Sequence, residues 1–211
     1  MRTTVHLLRH GEVYNPEGIL YGRLPGYRLS ERGEQQAATV AAALTDEDIT
    51  VVLASPLERA QQTAAPIAAE HGLEIHTEAR LIEAGNRFEG KPFGVGLNTV
   101  GALRQPATWW LLRNPFKPSW GEPYAEIAAR MRASVARARE LAVGHVGVCV
   151  SHQLPIWTAR RSLEAKHMWH DPRRRQCGLA SLTTCVFDDD RLVEVRYSEP
   201  AGPSNPTVTG A

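Results

Sequence analysis

Cysteine is scarce in this chain. Its 211 residues hold three, Cys149, Cys177 and Cys185. An odd number without close spacing offers neither a disulfide framework nor a cysteine metal site. Cys149 and Cys185 lie in apolar runs and read as buried reduced thiols, which fits a reducing cytoplasm. Excess charge is also missing. The formal net charge is +1, so no global field calls for nucleic acid or anionic lipid as partner. No apolar run approaches the ~18 residues of a membrane span. The apolar stretch near the N-terminus is too short for a secretory signal and is soon broken by charge. No internal repeat is visible.

What is present is ordinary for a globular protein: 43% hydrophobic and 22% charged residues. The length suits one domain over 1–198, with an irregular insertion over 88–121 and a Pro-, Gly- and Ser-rich tail over 199–211 expected to be disordered. Short buried strands are predicted at Thr4–Leu8, Thr50–Ala54 and Val146–Val150, with a weaker one in "LEIHTE". Helices are predicted from Ser30 as N-cap, from Ser55-Pro56 as N-cap and first helical residue, over the long "GEPYAEIAARMRASVARARELAVG" stretch closed by Gly144, and after Pro155. Pro66 should kink or break the second of these, which should end at Gly72. "LASLTTCVF" and "RLVEVRYS" around three aspartates read as a hairpin. Strands alternating with helices predict an α/β fold: a mostly parallel central sheet covered on both faces. The insertion holds Trp109, Trp110 and Trp120 and reads either as a satellite core or as a lid.

Three predicted strands run out into polar, cationic sequence. The first ends in Arg9-His10-Gly11. The second ends in Ser55-Pro56, with Arg59 a turn later. The third ends in Ser151-His152-Gln153. In parallel α/β sheets, ligands bind beyond the carboxyl ends of the strands. Arg9, His10, Arg59 and His152 are therefore expected to converge. Two guanidiniums beside a helix N-terminus form an anion site. A phosphomonoester, carrying about −1.5 to −2 charge near neutral pH, would match them. The same cations should depress the histidine pKa and keep its imidazole neutral, as a nucleophile requires.

"LLRHGE", "SPLERAQQTA" and the late "VSH" together resemble the histidine phosphatase superfamily, also called the phosphoglycerate-mutase-like family, over roughly residues 4–198. The resemblance implies a three-layer α/β/α sandwich and a phosphohistidine intermediate on His10. It implies a phosphate pocket of Arg9, Arg59 and His152, with Asn15, Tyr21, Gly22 and Arg23 at the rim. It also implies chemistry without metal or other cofactor. His167 and His170, three residues apart, are a weak metal signal without further ligands nearby. The proton donor is Glu83 as first candidate, in "LIEAGNRFEG", with Glu89 as second; the spacing is one residue shorter than the family's usual pattern. Val13 stands where Thr or Ser is common, and Asn15 comes one residue early. "SHQLP" replaces the usual two glycines after Ser-His; the Gln153 amide remains able to reach a phosphate.

These residues point first to a phosphomonoester hydrolase acting on a small phosphorylated metabolite and releasing phosphate. A phosphoglycerate-type mutase is the alternative, although the chain is short for one and lacks the family's Glu-Arg-His-Tyr-Gly stretch. A third reading is a phospholigand-binding module without turnover. The Arg173–Arg175 run is either a solvated loop or a second anion contact. No nucleic-acid reader motif is present, and no membrane partner is expected. A homodimer is compatible with the family.

Overall fold

The eight residues from Arg2 to Arg9 form the strand β1, and from Val5 to Arg9 every one is buried. A buried run without polar alternation requires cover on both faces of the sheet. The computed structural model describes residues 1–87, 89–90, 121–168 and 175–203. In chain order, β1 is followed by α1 (Glu31–Ala43), β2 (Ile49–Ala54), α2 (Glu58–Glu70), β3 (Ile75–Thr77) and a 3-10 turn (Ala79–Leu81). After these come α3 (Tyr124–Leu141), β4 (Val146–Ser151), α4 (Gln153–Leu163), β5 (Leu182–Asp188) and β6 (Arg191–Ser198). The strands lie in the order β3-β2-β4-β1-β5-β6. The first four are mutually parallel, and β5 and β6 are antiparallel additions.

Strand periodicity sends alternate side chains to opposite faces. Leu8, Val52, Val148 and Val150 pack with Val40 of α1 and Ala60, Ala64 and Ile67 of α2. Leu7, Leu53 and Cys149 face Ile127, Met131 and Val135 of α3 and Ile156 of α4. The result is a three-layer α/β/α sandwich around a mixed, mainly parallel sheet. Its cysteines are all buried thiols. Among the described residues, no helix is long and apolar enough to cross a membrane.

Local chemistry explains most boundaries. Ser30 caps α1, its hydroxyl accepting from the Gly33 amide at 3.1 Å. Gly72 closes α2 with φ of 64°, a conformation glycine adopts without strain. Three details depart from expectation. Ser55 does not cap α2, which starts at Glu58 after Leu57 with no side-chain cap; the Ser55 hydroxyl is engaged by His152 instead. The helix runs unbroken through Pro66, because Thr63, Ala64, Ile67 and Ala68 are buried around it and packing outweighs the lost backbone bond. Helix α4 begins before Pro155, at Gln153, placing the proline in the first turn, where its missing N–H costs nothing. The chain also stays packed beyond residue 198: Ala201 lies against the sheet's second core, and the Gly202 amide donates to the Glu199 carbonyl at 3.0 Å. Of the tail, residues 204–211 lie outside the described residues.

Candidate active site

Register brings the three strand ends level. Arg9 pairs with Ser151 across β1 and β4. The next amides continue the ladder: His10 N donates to Ser151 O at 3.1 Å, and Ser55 N donates to Val150 O at 2.9 Å. His10, His152 and Ser55 thus follow three adjacent parallel strands. The two histidine rings lie 5.1 Å apart between centroids.

Small residues set the loop after β1. A Cβ on Gly11 would lie 2.6 Å from the Gly33 carbonyl oxygen, and one on Gly33 would lie 2.0 Å from the Glu12 carbonyl oxygen. Only glycine at both positions lets the start of α1 press against this loop. Thr63, which the sequence reading passed over, accepts from the Gly11 amide at 3.1 Å and donates to the Arg59 carbonyl at 2.7 Å. It lies four residues after Arg59 on α2, a spacing that puts both on one helix face.

The His10 ring is fully buried. Its Nδ1 lies 2.8 Å from the Gly11 carbonyl. A carbonyl can only accept, so Nδ1 carries the proton and the neutral ring leaves its lone pair on Nε2. Among the described residues, Nε2 has no hydrogen-bond partner. Burial first, then the Arg59 and Arg9 charges, hold this imidazole well below its ordinary pKa. The cations expected to do this are therefore second to desolvation. His152 has the opposite tautomer. Arg59 Nη2 lies 3.3 Å from its Nδ1, and its Nε2–H donates to Ser55 Oγ at 2.8 Å. It too is held neutral by burial and by Arg59.

The guanidiniums are fixed by backbone oxygens. Arg9 Nη1 donates to Cys177 O, and Arg59 Nη2 to Gly22 O, each at 2.7 Å. Arg59 also lies over the buried Tyr21 ring, 4.7 Å from its centroid, and Tyr21 stacks on Tyr27 at 5.0 Å. Behind His152, the first turn of α4 offers amides without intrahelical acceptors.

Glu83 is buried beside these charges. Its Oε1 accepts from the Ala84 amide at 2.7 Å, and its Oε2 has no partner among the described residues. Burial raises its pKa, and the opposing pull of Arg59, Arg9 and Arg130 is smaller. The segment carrying it is held by side chains at four consecutive carbonyls. Arg130 Nη1 donates to Arg80 O at 2.5 Å and to Ile82 O at 2.7 Å. Ser151 Oγ donates to Leu81 O at 2.6 Å, and Arg23 Nε to Glu83 O at 2.7 Å. Glu122 joins the two arginines, accepting from Arg23 Nη2 at 2.9 Å and from Arg130 Nε and Nη2 at 2.7 and 3.0 Å.

The remaining expected residues divide. Gly22 supplies the carbonyl that fixes Arg59, and Arg23 reaches the Glu83 segment. Asn15 is closed on its own loop: its Nδ2 donates to Ile19 O at 2.8 Å and its Oδ1 accepts from Ile19 N at 3.0 Å. Gln153 Nε2 donates to Cys177 O at 3.4 Å, the oxygen that also receives Arg9. Glu89 Oε1 accepts from the Asn86 amide at 3.1 Å. An open groove of about 630 Å³ runs past Arg23, Asn86, Arg87, Glu89 and Glu122. His10, Arg59 and His152 are not part of its described walls, so it neighbours the cluster rather than containing it. The flanks of the expected insertion meet where Asn86 bridges Gly121. Phe88 and 91–120, with all three of its tryptophans, lie outside the described residues, as do His170, Arg173 and Arg174.

A neutral, desolvated imidazole with its lone pair directed away from its own backbone, two fixed guanidiniums and a buried carboxyl with a raised pKa could together serve phosphoryl transfer. The family model of the histidine phosphatase superfamily (branch 1) matches residues 5–200. The chain belongs to that superfamily. It is 61% identical over 199 residues to the uncharacterized protein Rv0525 of Mycobacterium tuberculosis, covering 94% of this chain and 97% of that one. It is 31% identical over 185 residues to the probable phosphoglycerate mutase GpmB of Yersinia enterocolitica, covering 83% and 82%. The fold is also that of the mycobacterial glucosyl-3-phosphoglycerate phosphatase Rv2419c, with a TM-score of 0.72 at 23% identity over 97% of this chain and all of the other.

Proposed function

We propose that the chain is a phosphomonoester hydrolase that works through a phosphohistidine on His10, with no metal taking part. The observation that carries this reading is the state of His10. Its Nδ1–H is bound to Gly11 O, and its Nε2 is buried, neutral, within the field of Arg59 and Arg9, and without a partner among the described residues. In this reading Arg9, Arg59 and His152 hold the phosphoryl oxygens and balance their charge in the transition state. His10 Nε2 attacks phosphorus; the N–P bond forms as the P–O bond to the leaving group breaks. Glu83 gives its proton to the departing oxygen. As a carboxylate it then takes a proton from water, whose oxygen attacks phosphorus and breaks the N–P bond. Phosphate leaves and His10 is restored.

The relatives' names divide between a mutase and a phosphatase, and both reactions can share the phosphohistidine. The hydrolase reading has the support of "EAGNRFEG", which lacks the mutase-type stretch. Phosphate release from p-nitrophenyl phosphate and a panel of small phosphate esters, in EDTA, tests it against His10→Ala. Release that persists in EDTA and is lost in the variant is the expected result. Release that EDTA abolishes overturns the metal-free chemistry. Phosphoryl exchange that requires a bisphosphorylated primer, with little release to water, replaces the hydrolase by the mutase.

A further inference from the structure

The Ser55 hydroxyl is fully buried and faces His152. Its hydrogen bonds can be counted. Arg59 Nη2 can only donate, so its 3.3 Å contact makes His152 Nδ1 an acceptor and leaves the ring proton on Nε2. Ser55 Oγ then accepts from Nε2 at 2.8 Å, and it also faces the Leu57 amide at 3.4 Å. Both contacts use the lone pairs of the oxygen. Among the described residues, no group accepts the hydroxyl's own proton. A buried donor left without an acceptor is unfavourable.

The same tautomer sits badly with a role for His152 in holding an anion. A ring nitrogen that accepts from Arg59 turns a lone pair, not a proton, toward a phosphoryl oxygen. An imidazolium would supply the missing N–H, but the surroundings oppose it. Burial comes first, then Arg59 from α2, His10 and Arg9 from the end of β1, and Arg130 from α3; each disfavours a charge on His152. The other neutral tautomer removes both difficulties. With the proton on Nδ1, Nε2 becomes an acceptor. A serine hydroxyl donates as well as accepts and needs only to turn about its C–O bond. Ser55 then donates to Nε2, and Nδ1–H is free to donate to an oxygen of the bound group. Where Arg59 and His152 face each other directly, this form would set N–H against N–H. An anion that lies between them and accepts from both relieves that clash.

We propose that anion binding switches His152 between its two neutral tautomers, and that Ser55 is the positioning residue that permits the switch. One proton leaves Nε2 and one is taken up at Nδ1, both exchanged with solvent, so the ring gains no net charge. The proposal rests on the phosphoryl group sitting against Arg9, Arg59 and His152. It does not depend on whether water or an alcohol finally accepts that group.

Nitrogen NMR on the full chain, with histidine rings labelled with nitrogen-15, reads the tautomer directly. In a neutral imidazole the two ring nitrogens resonate far apart and reveal which one carries the proton; in an imidazolium they lie close together. The His152→Gln spectrum identifies the His152 signals by their loss. Near pH 8, without added anion, the proton should be on Nε2. Saturating inorganic phosphate, mainly a dianion at that pH, should move it to Nδ1 with the ring still neutral. A proton that stays on Nε2 in the complex overturns the switch. Two protonated nitrogens in the complex replace it by proton uptake, and a proton already on Nδ1 without phosphate removes its starting state. Ser55→Ala should weaken phosphate binding about tenfold near pH 8, the loss of one buried hydrogen bond. That deficit should shrink toward pH 6, as His152 takes up a proton instead. Ser55→Thr keeps a hydroxyl and should restore most of the affinity. A deficit that does not vary with pH makes Ser55 a scaffold only and overturns its role. The wild-type spectra need no change at Ser55, so a poorly folding variant still leaves the proposal tested. Phosphate that does not bind at all overturns the pocket and the switch together. Failure of the hydrolase reading alone would leave binding intact and appear as absence of phosphate release.

Discussion

Replacing Glu83 by Gln tests the proton donor with little disturbance of its surroundings. The Gln Oε1 can still accept from the Ala84 amide, the one hydrogen bond the carboxyl makes among the described residues. What disappears is a transferable proton at a position sealed from water, since the side chain is only 4% exposed. A positioned general acid contributes about 10²–10⁴-fold. No bulk water is at hand to substitute, so we expect about 10³-fold loss in kcat/KM on an alkyl phosphate, or about 4 kcal/mol. With p-nitrophenyl phosphate the departing phenolate is stable without a proton, and the loss should stay within about tenfold. Because kcat/KM ends at the first irreversible step, it isolates transfer to His10 from the later hydrolysis. The pH profile gives a second reading. The Glu83 pKa lies above the ordinary 4.5, and activity requires the acid form, so activity falls as pH rises through the Glu83 pKa. The His10 pKa lies below the ordinary 6.5, and activity requires the neutral form, so activity falls as pH drops through the His10 pKa. Glu83→Gln should erase the alkaline limb and leave the acid limb. Equal losses on both substrates, an intact alkaline limb, or a leaving-group split caused by Glu89→Gln instead would refute the assignment.

Two further outcomes follow from charge networks. Glu122 links Arg23 to Arg130 around the Glu83 segment; Glu122→Gln should lower the urea-unfolding free energy by about 2 kcal/mol and slow alkyl phosphates more than p-nitrophenyl phosphate. Uniform slowing would show that Glu122 does not position the acid. Glu78 is buried and accepts from Arg80 Nε and Nη2 at 2.7 and 2.8 Å and from Arg137 Nη1 at 2.8 Å; chiefly through the Arg80 hydrogen bonds its pKa falls from 4.5 to about 2. Its stabilisation is complete above pH 4.5 and is lost as pH falls through about 2. We expect about 2 kcal/mol, allowing for screening of the half-exposed arginines, read as a shallower acid dependence of the urea midpoint in Glu78→Gln.

The parts of this site that strands deliver were legible in the sequence. A buried apolar run has one exit, so Arg9-His10 and Ser151-His152 could be placed at neighbouring strand ends before any coordinates. Arg59 followed from the helix after β2. Features that depend on packing were not legible. Ser55 looks like a helix cap, and nothing local signals that a histidine 97 residues away will claim its hydroxyl. Pro66 reads as a breaker because propensity cannot weigh the buried alanines and isoleucine around it. The depressed His10 pKa was anticipated from its cationic neighbours, yet its larger cause is desolvation, which only the closed core reveals. The Arg173–Arg175 run reads equally as a solvated loop or an anion contact, and only the fold places Arg175 beside Gln153.

The four carbonyls from Arg80 to Glu83 also bear on how such an enzyme can change. Their acceptor needs are met by side chains from α3, β4 and the loop at Arg23 rather than by a strand ladder. A stretch tethered in this way has no register to lose. Such a stretch can shorten or lengthen by a residue and be recaptured by the same long arginine side chains, which would let Glu83 tolerate its unusual spacing. The contact between Gly11 and Gly33 has no such slack, since backbone meets backbone. Variation is therefore cheap on the side of the pocket that carries Glu83 and costly on the side that carries His10.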